Sequence, residues 1–268
     1  MTNDYLKEYK EIELRSCQLK QLEILKVFDR ICKKYNLRYW IDGGTLLGAV
    51  RHKGFIPWDD DLDVAMPSED YKKLNQIIQS ELPDHLFWQT KETDPTMIQD
   101  FAKIRDMNSF YVEFGDDFVL SYQKGIYIDV FEMKEYPILP KKLMSFLIRK
   151  ISKSHSVLKS KKYITFHTIM EIPYFFLTLC MLLPIWRFLT FCLKKRYISY
   201  DFYENVGGWF FLKEDIFPLL QIEFEGEKFF SPYNFDNYLK TLYGKYMEFP
   251  PEEDRIPHAV YIHTNLKK

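Results

Sequence analysis

Residues 43–66, GGTLLGAVRHKGFIPWDDDLDVAM, decide how this chain reads. The stretch opens on a glycine pair and closes on a strand-like run in which Asp61 and Asp63 alternate around Leu62. On a strand, side chains i and i+2 point to the same face. Two carboxylates held on one face repel each other unless a cation sits between them. Oxygen-only ligands suit Mg²⁺ or Mn²⁺, above all where a phosphate supplies further ligands. Glycine lets the backbone approach a phosphate, and a helix N-terminus attracts one. Gly43 and Gly44 are therefore candidate phosphate-binding residues, with Thr45 offering a further hydrogen bond. Acids at Asp59, Asp60, Asp61 and Asp63 would also suit a solvated turn, but Leu62, Val64 and Ala65 draw them toward a core. Rival motifs fail on spacing. An EF-hand loop counted from Asp59 needs glycine where Val64 stands. Neither the Gly-Lys-Ser/Thr of a Walker A loop nor G-x-G-x-x-G occurs.

Working outward, residues 4–35 read as an amphipathic helix, with Leu22, Leu25, Phe28, Cys32 and Tyr35 at three- and four-residue spacing. Residues 38–41 read as a short strand, 42–44 as a turn and 45–50 as a helical turn. Residues 54–60 form a loop broken by Pro57, and 62–66 form a strand. Ser68 reads as the N-cap of the next helix. Residues 86–89, 101–105, 110–113 and 126–131 are candidate strands. A hairpin is expected around Glu225-Gly226-Glu227, then a helix over 233–243 ended by Gly244. This order predicts an α/β (α+β) fold: a mixed sheet flanked by helices, with a helical insert.

Lys103 and Arg105 alternate on a predicted strand and so share a face, where they are candidates for binding phosphate oxygens. Trp40 and Trp58 flank the motif. Trp58 is the stronger candidate for stacking on a base or caging a quaternary ammonium, and Trp40 reads as core.

The segments 39–52 and 54–64, YWIDGGTLLGAVRH and GFIPWDDDLDV, closely resemble the LicD family of the nucleotidyltransferase superfamily. Residues 101–105, 128–131 and the tail from Tyr243 to His258 look similar as well. The resemblance implies a nucleotidyltransferase-like fold and a metal-dependent transferase. A phospho-alcohol group, such as phosphocholine, would move from a CDP-activated donor to a hydroxyl of a surface glycan or its lipid-linked precursor, releasing CMP. The donor pyrophosphate would lie at Gly43, Gly44 and Thr45, with Asp61 and Asp63 holding Mg²⁺ (or Mn²⁺) against it. A third acid is expected from a neighbouring strand. Asp129 is the candidate, as metal ligand or as acceptor of the hydroxyl's proton. Arg51 and His52 are candidates for contact with donor phosphate or acceptor, and His258 is a weaker one. Two alternatives stay open: a nucleotidylyltransferase releasing pyrophosphate, and a non-catalytic membrane-associated glycan-binding protein.

The 268 residues suit one large domain or a domain with an elaborated insert. Their net charge of -1 argues against a nucleic-acid partner, and 47% hydrophobic content argues against disorder. That neutrality hides an asymmetry. Lys141 to Arg196 carry twelve Lys/Arg and one acid, Glu171, leaving 25 bases against 37 acids in the rest. The segmentation expected is a core at 1–140, a basic, apolar helical insert at 141–200, and a segment at 201–268 that completes the core. Residues 172–186 hold no charge. They are too few for a membrane span, which takes about 20 apolar residues, and Pro173 and Pro184 interrupt them. A buried helix pair and an interfacial segment with basic flanks both fit. Peripheral membrane contact through 141–196 is expected on the second reading. The polar N-terminus lacks the apolar stretch of a signal peptide, and four dispersed cysteines form no CxxC. A cytoplasmic location, peripheral at the inner membrane face, is expected.

Overall fold

Core-facing residues at helical spacing build the first element, α1 (Asp4–Lys34), which buries Leu25, Phe28, Ile31 and Cys32. Tyr35 lies beyond the helix, exposed, with its hydroxyl on Glu81. The computed structural model describes residues 4–113, 116, 119, 121–159, 166–201 and 208–266. The elements continue as β1 (Trp40–Ile41), α2 (Gly43–His52), β2 (Asp63–Pro67), α3 (Ser68–Glu81), β3 (Leu86–Gln89), β4 (Ala102–Asp106), β5 (Phe110–Glu113) and β6 (Tyr127–Pro137). Then come α4 (Lys141–Lys159), α5 (Phe166–Cys192), β7 (Lys195–Tyr200), β8 (Phe211–Leu212), α6 (Lys213–Ile216), β9 (Leu220–Phe224), β10 (Glu227–Ser231), α7 (Phe235–Tyr243) and β11 (Ala259–His263).

The chain divides into two compact units, Met1–Glu132 with Glu214–Lys268, and Met133–Lys213. In the first, the strands run in the order β1-β2-β6-β4-β3. β4 pairs antiparallel with the start of β6, matching Lys103 to Asp129 and Arg105 to Tyr127. β11 pairs with β5, and β9 with β10 around the Glu225-Gly226 turn. α3 begins at Ser68 itself without a side-chain cap, because the Ser68 hydroxyl donates to Glu132 instead. Asn234 caps α7, and Gly244 ends it with φ +66°.

Glycine is required in α2 by close approach at Gly48 and by backbone conformation at Gly43. A methyl at Gly48 would lie 2.5 Å from the carbonyl oxygen of Gly54 and 3.2 Å from the Ile56 nitrogen. Both are backbone atoms, so relief requires the helix or the loop to move. Gly48→Ala is expected to lower stability by about 1–3 kcal/mol, read as a fall in the urea midpoint at unchanged slope. Gly43 has φ +51°, a conformation that side chains beyond glycine disfavour.

The second unit holds β7 antiparallel to the end of β6, and β8 against β7. It extends beyond the expected 141–200 insert on both sides, because the end of β6 and β8 belong to it. Its core is Met144, Leu147, Ile148 and Ile151 of α4 with Tyr136, Trp186 and Phe210. α5 is one helix of 27 residues that continues through Pro173 and Pro184. Of the two readings of this segment, the buried helix pair is not what forms: the helix does not break, and Phe176, Leu177, Met181 and Phe188 stay exposed. Residues 160–165 and 202–207, parts of the expected insert and of the expected C-terminal segment, lie outside the described residues.

Candidate active site

β1 delivers the chain to Asp42, which is fully buried and turns it into α2. The Asp42 amide donates to the Asp63 carbonyl (2.9 Å), and its carboxylate accepts from the Tyr238 hydroxyl (2.7 Å). Trp40, also buried, donates its ring N–H to that same hydroxyl. Asp42 and Trp40 therefore frame the turn. Thr45 accepts a hydrogen bond from the Asp63 amide (2.8 Å), tying the first turn of α2 to β2.

This brings carboxylates against the glycine pair. A methyl at Gly43 would lie 2.6 Å from Asp63 Oδ2, and one at Gly44 would lie 2.6 Å from Asp59 Oδ2. Burial pushes the Asp63 carboxyl well above its usual range, helped by the charges of Asp129 and Asp61. Burial and the neighbouring Asp61 push Asp59 up to about 7. Asp129 is buried and also raised, by desolvation, although the Lys103 ammonium 2.7 Å away opposes the shift.

Two cavities meet here. The larger, about 640 Å³, is lined by Asp61, Lys103, Glu113, Tyr127, Asp129 and His258 among others. The smaller, about 290 Å³, is lined by Gly44, Trp58, Asp59, Asp61, Asp63 and Tyr243 among others. Asp61 borders both, as do Asp254 and His258. Lys103 is almost fully buried, with Nζ 3.4 Å from the centroid of the Tyr127 ring.

Several residues singled out in the sequence stand elsewhere. Arg105 lines neither cavity: its guanidinium is buried, donates to Gln89 and to the Gly125 carbonyl, and lies over Tyr127. Burial lowers its pKa. Arg51 and His52 also line neither cavity, because seven residues of helix separate Arg51 from Gly44, about 10 Å along the axis. Arg51 donates to the Tyr246 carbonyl and sits 4.5 Å from the Phe249 ring centroid. His52 meets Trp58 and Phe249 edge-on. Trp58 does line the smaller cavity, but the Arg255 guanidinium already stands 5.1 Å from its ring centroid.

Asp60 is a clamp. Fully buried, it accepts from the His258 amide and from the Ala259 amide, and it pairs with the His258 ring. Burial alone would raise its pKa, but these bonds bring it below the usual carboxylate range. The His258 ring nitrogen lies 3.2 Å from Asp60 and 3.1 Å from Asp61, and these bonds push it up to about 11.

The carboxylates of Asp59, Asp61, Asp63 and Asp129 are oxygen donors of the kind a hard divalent cation takes. Among the described residues, the ligand atoms found within 4.8 Å of one another are those of Asp59, Asp60, Asp61 and His258. Asp63 and Asp129 are not in that group, although their charges reach it. Asp59, Glu113, Tyr127, Asp254 and Tyr243 were not among the residues singled out as the site. Asp59 stood in the acidic run, and Tyr243 and Asp254 in the tail. Glu113 and Tyr127 arrive by strand pairing.

The family described as LicD/FKTN/FKRP, nucleotidyltransferase domain, matches residues 36–171. The lipopolysaccharide cholinephosphotransferase LicD of Haemophilus influenzae is 30% identical over 264 residues, covering 94% of this chain and 97% of that one. The chain belongs to the LicD family. Its members include phospho-alcohol transferases, and this chain is an enzyme of that kind. Similarity to the human ribitol 5-phosphate transferase FKRP is 37% over 70 residues, 26% of this chain and 14% of that one. An uncharacterised Rickettsia prowazekii protein, RP689, is 42% identical over 78 residues, 29% of each chain.

Proposed function

We propose that this LicD-family enzyme moves a phospho-alcohol group, phosphocholine-like, from a CDP-activated donor to a hydroxyl of a cell-surface glycan or its lipid-linked precursor, releasing CMP. The observation that carries this reading is the gathering of Asp61, Asp63 and Asp129 along two adjoining cavities beside the glycine pair that opens α2. Such a cluster is costly without a cation and a phosphate to occupy it.

Gly44 and the first turn of α2 take the donor phosphates in the smaller cavity, through backbone N–H groups and the helix dipole. Gly43 leaves room for the Asp63 carboxylate, and Thr45 holds the Asp63 backbone. Asp61 and Asp63 would hold Mg²⁺ or Mn²⁺. Bound there, such a cation would supply positive charge against the phosphates and the leaving CMP. The acceptor enters the larger cavity, where Lys103 keeps Asp129 ionised and oriented so that it can take the hydroxyl's proton. Asp61, bordering both cavities, stands where donor and acceptor meet. The reading includes location: the cytoplasmic side of the membrane, with residues 141–196 in peripheral contact.

Incubation of the purified protein with CDP-choline, CDP-ribitol or CDP-glycerol, Mg²⁺ and acceptor glycan is expected to release CMP and to leave a phospho-alcohol on the glycan. Release of pyrophosphate with a nucleotide adduct would instead identify a nucleotidylyltransferase. No turnover with any donor, together with no nucleotide binding by calorimetry, would identify a non-catalytic protein.

A further inference from the structure

The second unit carries a surface that catalysis leaves unused. Over Glu171–Cys192 α5 has a mean hydropathy of 1.8, and little of that stretch is buried. One side packs Trp186, Leu179, Leu182 and Leu183 onto the α4 core. The opposite side presents Leu177, Met181, Phe188 and Phe191, which are 59%, 66%, 66% and 89% exposed. Contiguous apolar surface of this kind marks a contact with protein or lipid.

Charge selects between them. Exposed Lys141, Lys142, Arg149 and Lys153 stand on α4, Arg187 stands in the last two turns of α5, and Lys194 and Lys195 follow that helix. The segment 141–196 holds a single acid. A second copy would set this excess of positive charge against itself. An anionic lipid surface offers an apolar interior and a negative face together. Two contacts also argue against a crossing. Lys150 donates to the Tyr174 hydroxyl, and the Lys153 ammonium lies 5.9 Å from the Phe175 ring centroid. A spanning α5 would draw these cations toward the hydrocarbon, where charge is costly.

We infer that the outer face of α5 enters one leaflet of an anionic bilayer, with the exposed basic residues of α4 and those that follow α5 held at headgroup depth. This assigns a specific face to the membrane contact included in the proposed function. It does not depend on the transferase chemistry: vesicle binding reads one, and CMP release from soluble substrates reads the other.

The full chain is sedimented with phosphatidylcholine vesicles, and with vesicles that also contain phosphatidylglycerol. Wild type is expected to bind the anionic vesicles and largely ignore the neutral ones. Met181→Glu combined with Phe188→Glu is expected to weaken binding by about tenfold or more. Lys194→Gln combined with Lys195→Gln is expected to weaken it less, by a margin that high salt erases. All four positions are exposed, so the melting temperature should stay at the wild-type value in both variants. Equal vesicle binding by wild type and the Met181→Glu, Phe188→Glu variant would overturn the inference. So would a lipid-free dimer that this variant dissociates, or resistance of the native protein to alkaline carbonate extraction, which would identify a spanning helix.

Discussion

Asp63→Asn is expected to cut CMP release by about 10²–10³-fold or more while making the metal-free protein more stable. The loss follows from removing one carboxylate of a cation site whose charge neutralisation supplies several kcal/mol to the transition state. The gain follows from linkage. Burial and the charges of Asp129 and Asp61 raise the folded-state pKa of Asp63 above its unfolded value. The folded protein therefore binds more protons than the unfolded chain between those two pKa values. Ionising Asp63 costs stability as pH rises through that window. Asparagine removes the cost, which is on the order of 1 kcal/mol at neutral pH without metal. Thermal melts in EDTA should show the variant above wild type at pH 7, with the two converging near pH 4, about the unfolded carboxyl value. Adding Mg²⁺ should raise the wild-type midpoint and leave the variant nearly unmoved. A variant that is active, or one that melts below wild type in EDTA, would contradict the assignment.

Lys103→Met is expected to cost about 3 kcal/mol of stability and to shift the pH profile of transfer upward. The ammonium is nearly fully buried and bonds Asp129 at 2.7 Å. Removing one partner of a buried pair leaves the other charge uncompensated. Asp129 is already raised by burial, and Lys103 is the main group holding it down. Without that cation its carboxyl stays protonated to higher pH. The rising limb of kcat/KM should then move to higher pH, with activity at pH 7 falling by about 10–100-fold and partly recovering under alkaline conditions. A merely structural lysine would lower stability and leave the limb in place, so the profile separates the two roles.

Much of the fold was legible because its signals are local. α1 follows apolar spacing, the 227–231 strand follows its Glu225-Gly226 turn, and Gly244 ends α7. The glycine-pair and Asp61/Asp63 alternation pointed to a cation and a phosphate through residue chemistry alone. The misplacements share another cause. Arg105 and Lys103 alternate on one strand with the same chemistry, yet one lines a cavity and the other is locked into Gln89 and Gly125. Arg51 and His52 belong to the motif in sequence but stand against residues 246–249 in space. Asp60 sits within an acidic run and is consumed by backbone N–H groups from residues 258 and 259.

α5 divides the same way. Its composition, apolar and flanked by bases, is a property of the sequence. The continuity through two prolines and the choice of exposed face depend on what α4 covers. By itself, the sequence determined the family and the mixed α/β class, since these rest on residue identity and short-range spacing. The glycine pair opens α2 itself instead of forming a turn before it, and β2 starts at Asp63, so Asp61 stands in the loop ahead of the expected strand. Only the tertiary structure decided which charges meet across β4 and β6, which acids are satisfied by distant amides, and which side of α5 faces outward. Those outcomes depend on partners up to 199 residues away along the chain, whose approach no local pattern encodes.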